Sequence, residues 1–158
     1  MIFINEKGQS LVEALVALAA AAVIVSAIAI AVITSVNNSD FSRNQNTATQ
    51  YAQEGIEILR NLSQTNWTNF STFSGTYCLA QDSTILTTPS GANCTQNVAT
   101  NYVRQVVITQ GSGSCSGNTK VAVTVSWSDG KCTSSSNPFC HTVVLDSCLA
   151  NINSTTLP

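Results

Sequence analysis

Residues 8–36 read GQSLVEALVALAAAAVIVSAIAIAVITSV, and this stretch decides the fold class of the chain. Between Ala14 and Ile33 the only polar side chain is Ser26, and no proline or glycine interrupts the run. A helix needs about 20 consecutive apolar residues to cross the roughly 30 Å of hydrocarbon in a bilayer. The stretch therefore predicts a transmembrane helix over residues 9–36.

Two simpler interpretations of this helix stay open. A cleaved secretory signal peptide would have Ala-x-Ala patterns near residues 27–31 as its cleavage site, but its apolar core is shorter and its start carries more cations than Lys7 alone. A plain membrane anchor explains the length of the span and nothing else. It gives no role to Glu13, a carboxylate at the head of the span, where a charge costs free energy unless it gains a partner.

The residues around Glu13 form a specific motif. Residues 7–15 read KGQSLVEAL and resemble the class III signal of type IV prepilins and pseudopilins. In that family a membrane peptidase cuts after the glycine and methylates the new amino terminus, and a glutamate five residues into the mature chain is the hallmark. The resemblance implies a leader peptide over residues 1–8, processing between Gly8 and Gln9, and an assembly role for Glu13. Gln9 departs from the pattern, because the family most often has phenylalanine there.

Beyond the span the pattern becomes amphipathic. Residues 37–40 are polar, and apolar residues then recur at helical spacing up to residue 62. The apolar face consists of Phe41, Ala48, Ala52, Gly55, Leu59 and Leu62, and the opposite face of Gln50, Glu54, Glu57 and Asn61. A helical glycine costs about 1 kcal/mol relative to alanine, so we expect close packing at Gly55. Residues 37–62 are predicted to form the amphipathic half of one long helix.

The same segment refines the resemblance. Residues 48–61 read ATQYAQEGIEILRN and, with Asn66 and Trp67 beyond them, are similar to the pilus-modification class of minor pilins. The resemblance implies an α+β pilin-like fold, in which the second half of the long helix packs on a small antiparallel β-sheet. It also implies an accessory subunit rather than the major subunit of a fibre.

Residues 63–158 are predicted to form an extracytoplasmic head. Three segments, 102–109, 121–127 and 141–146, alternate or are β-branched, as expected for strands of an antiparallel meander. Asp129 and Gly130, residue types that favour turns, predict a turn after the second strand. Residues 63–100 show little regular pattern and predict a long outward-facing loop.

The cysteines point to disulfides in an oxidising compartment. All six lie in the predicted head, no Cys-x-x-Cys occurs, and His141 is the only histidine, so zinc and free thiols are disfavoured. Six cysteines allow fifteen pairings. In a meander, the loop after the first strand lies next to the end of the third strand. This arrangement favours one set of cysteine pairings over the others. That set is Cys115 with Cys148, Cys132 with Cys140, and Cys78 with Cys94.

Composition narrows the function classes. With six Lys and Arg residues scattered along the chain and a net charge of −2, specific nucleic-acid binding is unsupported. No nucleophile–base–acid set can be assembled, so we expect no enzyme activity and no cofactor or metal. The expected function is a structural, minor subunit of a type IV pilus or related filament. The alternatives are a surface adhesion or DNA-uptake tip protein and a secretion-system pseudopilin.

The resemblance also implies partners and a location. The partners are other pilin subunits, prepilin peptidase and the inner-membrane assembly machinery. The chain would be a single-pass inner-membrane protein before assembly and part of an extracellular filament afterwards.

Overall fold

The computed structural model describes residues 6–91, 94–95, 98–111, 115–129, 132 and 139–152, with side chains from residue 11 onward. The chain divides into two units, Met1–Arg43 and Asn44–Pro158, which are described separately. Helix α1 spans Glu6–Thr65 and is common to both. The prediction of a single long helix is confirmed, since neither the polar residues 37–40 nor Gly55 interrupts it.

In the first unit, every side chain from Leu11 to Val36 is exposed. Two hydroxyl groups in this region bond to the helix itself. Ser26 Oγ donates to the carbonyl oxygen of Ala22 at 2.8 Å, and Thr34 Oγ1 donates to that of Ile30 at 2.9 Å. These i to i−4 bonds satisfy the hydroxyl protons without water, so both residues are compatible with an apolar environment.

The second unit contains a short helix and an antiparallel sheet of five strands. Helix α2 is Trp67–Phe70, and Asn66 caps it by accepting a hydrogen bond from the backbone N–H of Asn69 at 3.0 Å. The strands are β1 (Gly75–Leu79), β2 (Leu86–Thr87), β3 (Tyr102–Gln110), β4 (Thr119–Trp127) and β5 (His141–Leu149). Their order in the sheet is β2-β1-β3-β4-β5, with all neighbours antiparallel.

The three predicted strands are confirmed as the meander β3-β4-β5, each extended by one to three residues. The predicted sheet was nevertheless incomplete, because β1 and β2 lie within the segment expected to be a loop. Strand β1 has only five residues and pairs with the edge of β3 that the meander leaves open. Short strands of this kind are set by their neighbours more than by their own composition. Gly130 of the predicted turn lies outside the described residues.

The core lies between α1 and the sheet. Ala48, Ala52 and Leu59 of α1 are fully buried, as are Val121, Val123 and Val125 of β4. The close packing expected at Gly55 is confirmed: a Cβ atom there would lie 3.0 Å from Cγ1 of Val123. The predicted helix face is therefore the packed one, except that Phe41 is exposed and belongs to the first unit.

Three disulfides join Cys78 to Cys94, Cys115 to Cys148 and Cys132 to Cys140. These are the pairs that the meander favours. The second bridge connects the turn after β3 with the end of β5, and the third joins the two flanks of the connection between β4 and β5. The first bridge ties β1 to the segment that leads into β3.

Candidate functional site

The first feature of interest is the carboxylate on the apolar part of α1. Gly8 and Gln9 lie in the first turn of the helix, and Glu13 follows about one turn later. The Glu13 side chain is exposed, and so are the apolar residues around it, with Leu11 63% and Leu15 58% accessible. An isolated charge among exposed apolar side chains is unfavourable in lipid unless a partner of opposite charge is provided.

The apolar surface continues along the rest of the segment. Large side chains such as Val23 and Ile30 are 69% and 66% accessible. The helix is long and apolar enough to cross a membrane, with a mean hydropathy of 2.9 over its most apolar window and none of that window buried. Monomeric soluble proteins rarely expose contiguous apolar patches beyond a few hundred Å². By length, composition and exposure, this segment is therefore compatible with a membrane span.

The second feature is a buried arginine that the sequence analysis did not identify. Arg104 lies on β3 and its side chain is inaccessible to solvent. Its guanidinium donates three hydrogen bonds to backbone carbonyls: Nε to Leu79 at 3.0 Å, Nη1 to Tyr51 at 2.9 Å and Nη2 to Ala80 at 2.8 Å. Glu54 Oε1 lies 3.4 Å from both terminal nitrogens. Arg104 thus connects α1, the end of β1 and β3.

Burial lowers the pKa of Arg104, and the neighbouring Glu54 carboxylate opposes that shift. A guanidinium is still charged at neutral pH, because its ordinary pKa lies far above neutrality. The buried charge is tolerated because carbonyl dipoles and one carboxylate surround it. These contacts give Arg104 a structural role in holding the helix to the sheet.

Glu54 corrects one detail of the sequence analysis. The helical pattern placed it on the solvent face with Gln50 and Glu57, but its side chain is only 35% accessible and faces Arg104. The sequence of β3 contains a feature from which the Arg104–Glu54 pair could have been predicted. Arg104 is in phase with the core residues Tyr102, Val106 and Ile108, and a cation at an inward position of a strand requires acceptors nearby.

A third group of polar side chains lies where β4 ends and β5 begins. His141 Nε2 is 3.0 Å from Asp129 Oδ2, and the His141 ring stacks on Trp127 with centroids 5.3 Å apart. The Cys132–Cys140 disulfide lies beside this pair, with Cys132 Sγ 3.7 Å from Asp129 Oδ1. The sequence had assigned His141 only to a strand.

The head also has an open recess of about 370 Å³ between α1 and β5. Its charged side chains already form ion pairs. Arg60 Nη1 is 2.6 Å from Glu57 Oε2, and Asp146 Oδ2 is 2.9 Å from Lys120 Nζ. The recess therefore presents neutralised charge rather than a group prepared for chemistry.

The site residues predicted from the sequence thus lie in two different units of the chain. Gly8, Gln9 and Glu13 lie on the N-terminal part of α1, in the first unit, and the six cysteines lie in the second. Comparison of the chain with protein-family models, with curated proteins and with solved structures finds no match.

Proposed function

We propose that this chain is a structural, minor subunit of a type IV pilus or a related filament. It enters the inner membrane through residues 9–36 with its head outside, prepilin peptidase removes residues 1–8, and the assembly machinery inserts it into an extracellular filament. Its contacts there are with other pilin subunits.

The observation that carries the proposal is the combination of an entirely exposed apolar segment with a carboxylate near its start. Every side chain from Leu11 to Val36 is exposed, so the described residues leave this surface uncovered. A bilayer covers it before assembly, and a bundle of identical helices covers it in a filament.

Glu13 acquires a role in this scheme. A carboxylate in the span costs about 2.5–3.5 kcal/mol at the bilayer centre and less near the interface. Cleavage after Gly8 creates an ammonium group on Gln9, and two unit charges 4 Å apart attract by about 4 kcal/mol at an effective dielectric constant of 20. Pairing between subunits therefore offsets the penalty on Glu13 and sets the stagger between neighbouring helices.

The head is suited to the outside of the cell. All six cysteines are paired, and disulfides persist in oxidising compartments such as the periplasm and the cell surface. The three bridges stabilise this small head by restricting its unfolded chain.

The processing step is tested by expressing the full chain with and without prepilin peptidase and measuring intact mass. The expected product lacks residues 1–8, begins at Gln9 and carries one added methyl group. Gly8→Val is the matched control and should keep its leader. An unprocessed wild-type chain in the presence of an active peptidase would refute the proposal.

The assembly step is tested with Glu13→Ala and Val16→Ala in a cell that produces filaments. Both residues are exposed on the same part of α1, but only the first substitution removes the charge. We expect Glu13→Ala to remain in the inner membrane while Val16→Ala reaches sheared surface fibres. Equal incorporation of both variants would contradict the role of Glu13. If the wild-type protein, detected with a label, is found only in the periplasm, the pseudopilin alternative is supported instead.

A further inference from the structure

The group of side chains at the start of β5 has the composition of a metal site. Asp129, Cys132, Cys140 and His141 each offer one ligand atom, and these four atoms lie within 4.8 Å of one another. Two sulfurs, one imidazole nitrogen and one carboxylate oxygen form a set that suits Zn²⁺. The disulfide between Cys132 and Cys140 occupies both sulfurs, so the set is incomplete while that bond is intact.

Two distances within the group are close to the edges of a tetrahedral zinc site, one to each oxygen of Asp129. Zinc bonds of about 2.3 Å to sulfur and 2.0–2.1 Å to nitrogen or oxygen imply edges of roughly 3.3 Å between N and O and 3.6 Å between S and O. His141 Nε2 is 3.0 Å from Asp129 Oδ2, and Cys132 Sγ is 3.7 Å from Asp129 Oδ1. The two sulfurs, 2.03 Å apart in the disulfide, must separate to about 3.8 Å to bind the same ion.

Two further features favour this pair of cysteines over the other four. The backbone N–H of Cys140 points at Cys132 Sγ with an N to S distance of 3.3 Å, and such a bond stabilises a thiolate. Cys132 is half-buried and Cys140 is exposed. Each of the other bridges contains a buried cysteine, since Cys94 and Cys115 are 5% and 2% accessible. A reductant therefore reaches the Cys132–Cys140 bridge most easily.

We propose that Asp129, Cys132, Cys140 and His141 form a redox-gated site for a thiophilic divalent cation such as Zn²⁺. A two-electron reductant cleaves the S–S bond and leaves two thiols. A dithiol gives up its two protons and becomes a disulfide, whereas a phosphine becomes a phosphine oxide, with water supplying the oxygen and the two thiol protons. Binding of the cation then releases the two thiol protons. Metal and disulfide compete for the same sulfurs, so bound metal prevents closure of the bridge between β4 and β5.

The test uses the full chain in detergent micelles, with Co²⁺ as the probe and a phosphine as the reductant. We expect about one Co²⁺ per chain, with thiolate-to-metal charge-transfer absorption, in the reduced protein. The oxidised protein should lack this absorption. Added Zn²⁺ should displace the Co²⁺ and abolish the signal.

Two variants test the ligands, and a third is their control. The double variant Cys132→Ser/Cys140→Ser should lose the thiolate absorption, and His141→Gln should bind Co²⁺ more weakly. Cys78→Ser/Cys94→Ser is the matched control and should retain the signal after reduction. Failure of the reduced wild type to show the absorption, or its persistence in Cys132→Ser/Cys140→Ser, would overturn the proposal. So would equal Co²⁺ binding by the oxidised protein.

Discussion

The guanidinium of Arg104 lies inside the head, with its Nη1 atom 3.4 Å from Oε1 of Glu54 on α1. The two residues are separated by 50 positions in the chain, so the pair forms only when the helix docks on the sheet. The arginine is fully buried and the glutamate is one-third exposed. Their contributions to stability should therefore be unequal.

Arg104→Met should destabilise the head by about 3–5 kcal/mol, because it leaves three carbonyl acceptors and the partly exposed Glu54 carboxylate without their donor. Glu54→Gln should cost under about 1 kcal/mol, since that side chain is partly solvated and the carbonyls still accept from the arginine. Denaturant unfolding of the oxidised full chain in micelles measures both values. Equal losses for the two variants would contradict the unequal roles.

Gly55→Ala should destabilise the head although alanine is the better helix former. The added Cβ would lie 3.0 Å from Val123 Cγ1 and 3.1 Å from Arg104 Cδ. Overpacking of this kind costs about 1–3 kcal/mol, against a propensity gain of about 1 kcal/mol. Gln53→Ala, at an exposed position of the same helix, is the control and should change stability by under about 0.5 kcal/mol.

A double-mutant cycle tests the cause of that loss. Val123→Ala removes the methyl groups nearest to Gly55 and costs stability by itself. The combination Gly55→Ala/Val123→Ala should be less destabilised than the sum of the single variants, because the new methyl group occupies the space released. Simple additivity would show that the helix and β4 do not meet at this point.

The three disulfides should differ in their contribution to stability. Their sequence separations are 33 for Cys115–Cys148, 16 for Cys78–Cys94 and 8 for Cys132–Cys140. The chain-entropy relation gives about 3.7, 3.1 and 2.5 kcal/mol respectively. Paired Cys→Ser variants, compared by thermal unfolding, should follow this order. A larger loss from Cys132→Ser/Cys140→Ser than from the other pairs would contradict it.

Ile24→Arg tests the proposed span directly. A charged residue at the centre of a transmembrane helix costs about 2.5–3.5 kcal/mol on insertion scales, so the membrane-integrated fraction should fall. Resistance of the membrane-bound chain to alkaline extraction measures that fraction. Gln64→Arg, on the solvent-exposed part of α1 in the head, is the control and should leave it unchanged.

Local patterns were sufficient for part of the fold. The first part of the helix, residues 9–36, follows from its uninterrupted apolar run. Residues 37–62 and the strands β3, β4 and β5 follow from periodicity, because each is long and packs one face against the core. The favoured cysteine pairs followed from the order of those strands. Strands β1 and β2 could not be predicted, since five- and two-residue strands carry too few side chains to show a period.

The sequence by itself determined the apolar segment, the carboxylate at its head and the pairing-competent cysteines. These features depend on neighbours along the chain, and the cost of exposing apolar residues to water, or of placing a charge in lipid, does not depend on the fold. Only the tertiary structure decided that Arg104 is buried against Glu54 and against the carbonyls of α1 and the end of β1. It also placed Asp129 and His141 beside Cys132 and Cys140. The Arg104 contacts join residues far apart in the chain and form only after the helix has docked on the sheet. The second group comes together where β4 pairs with β5, across a connection whose path is not a local pattern.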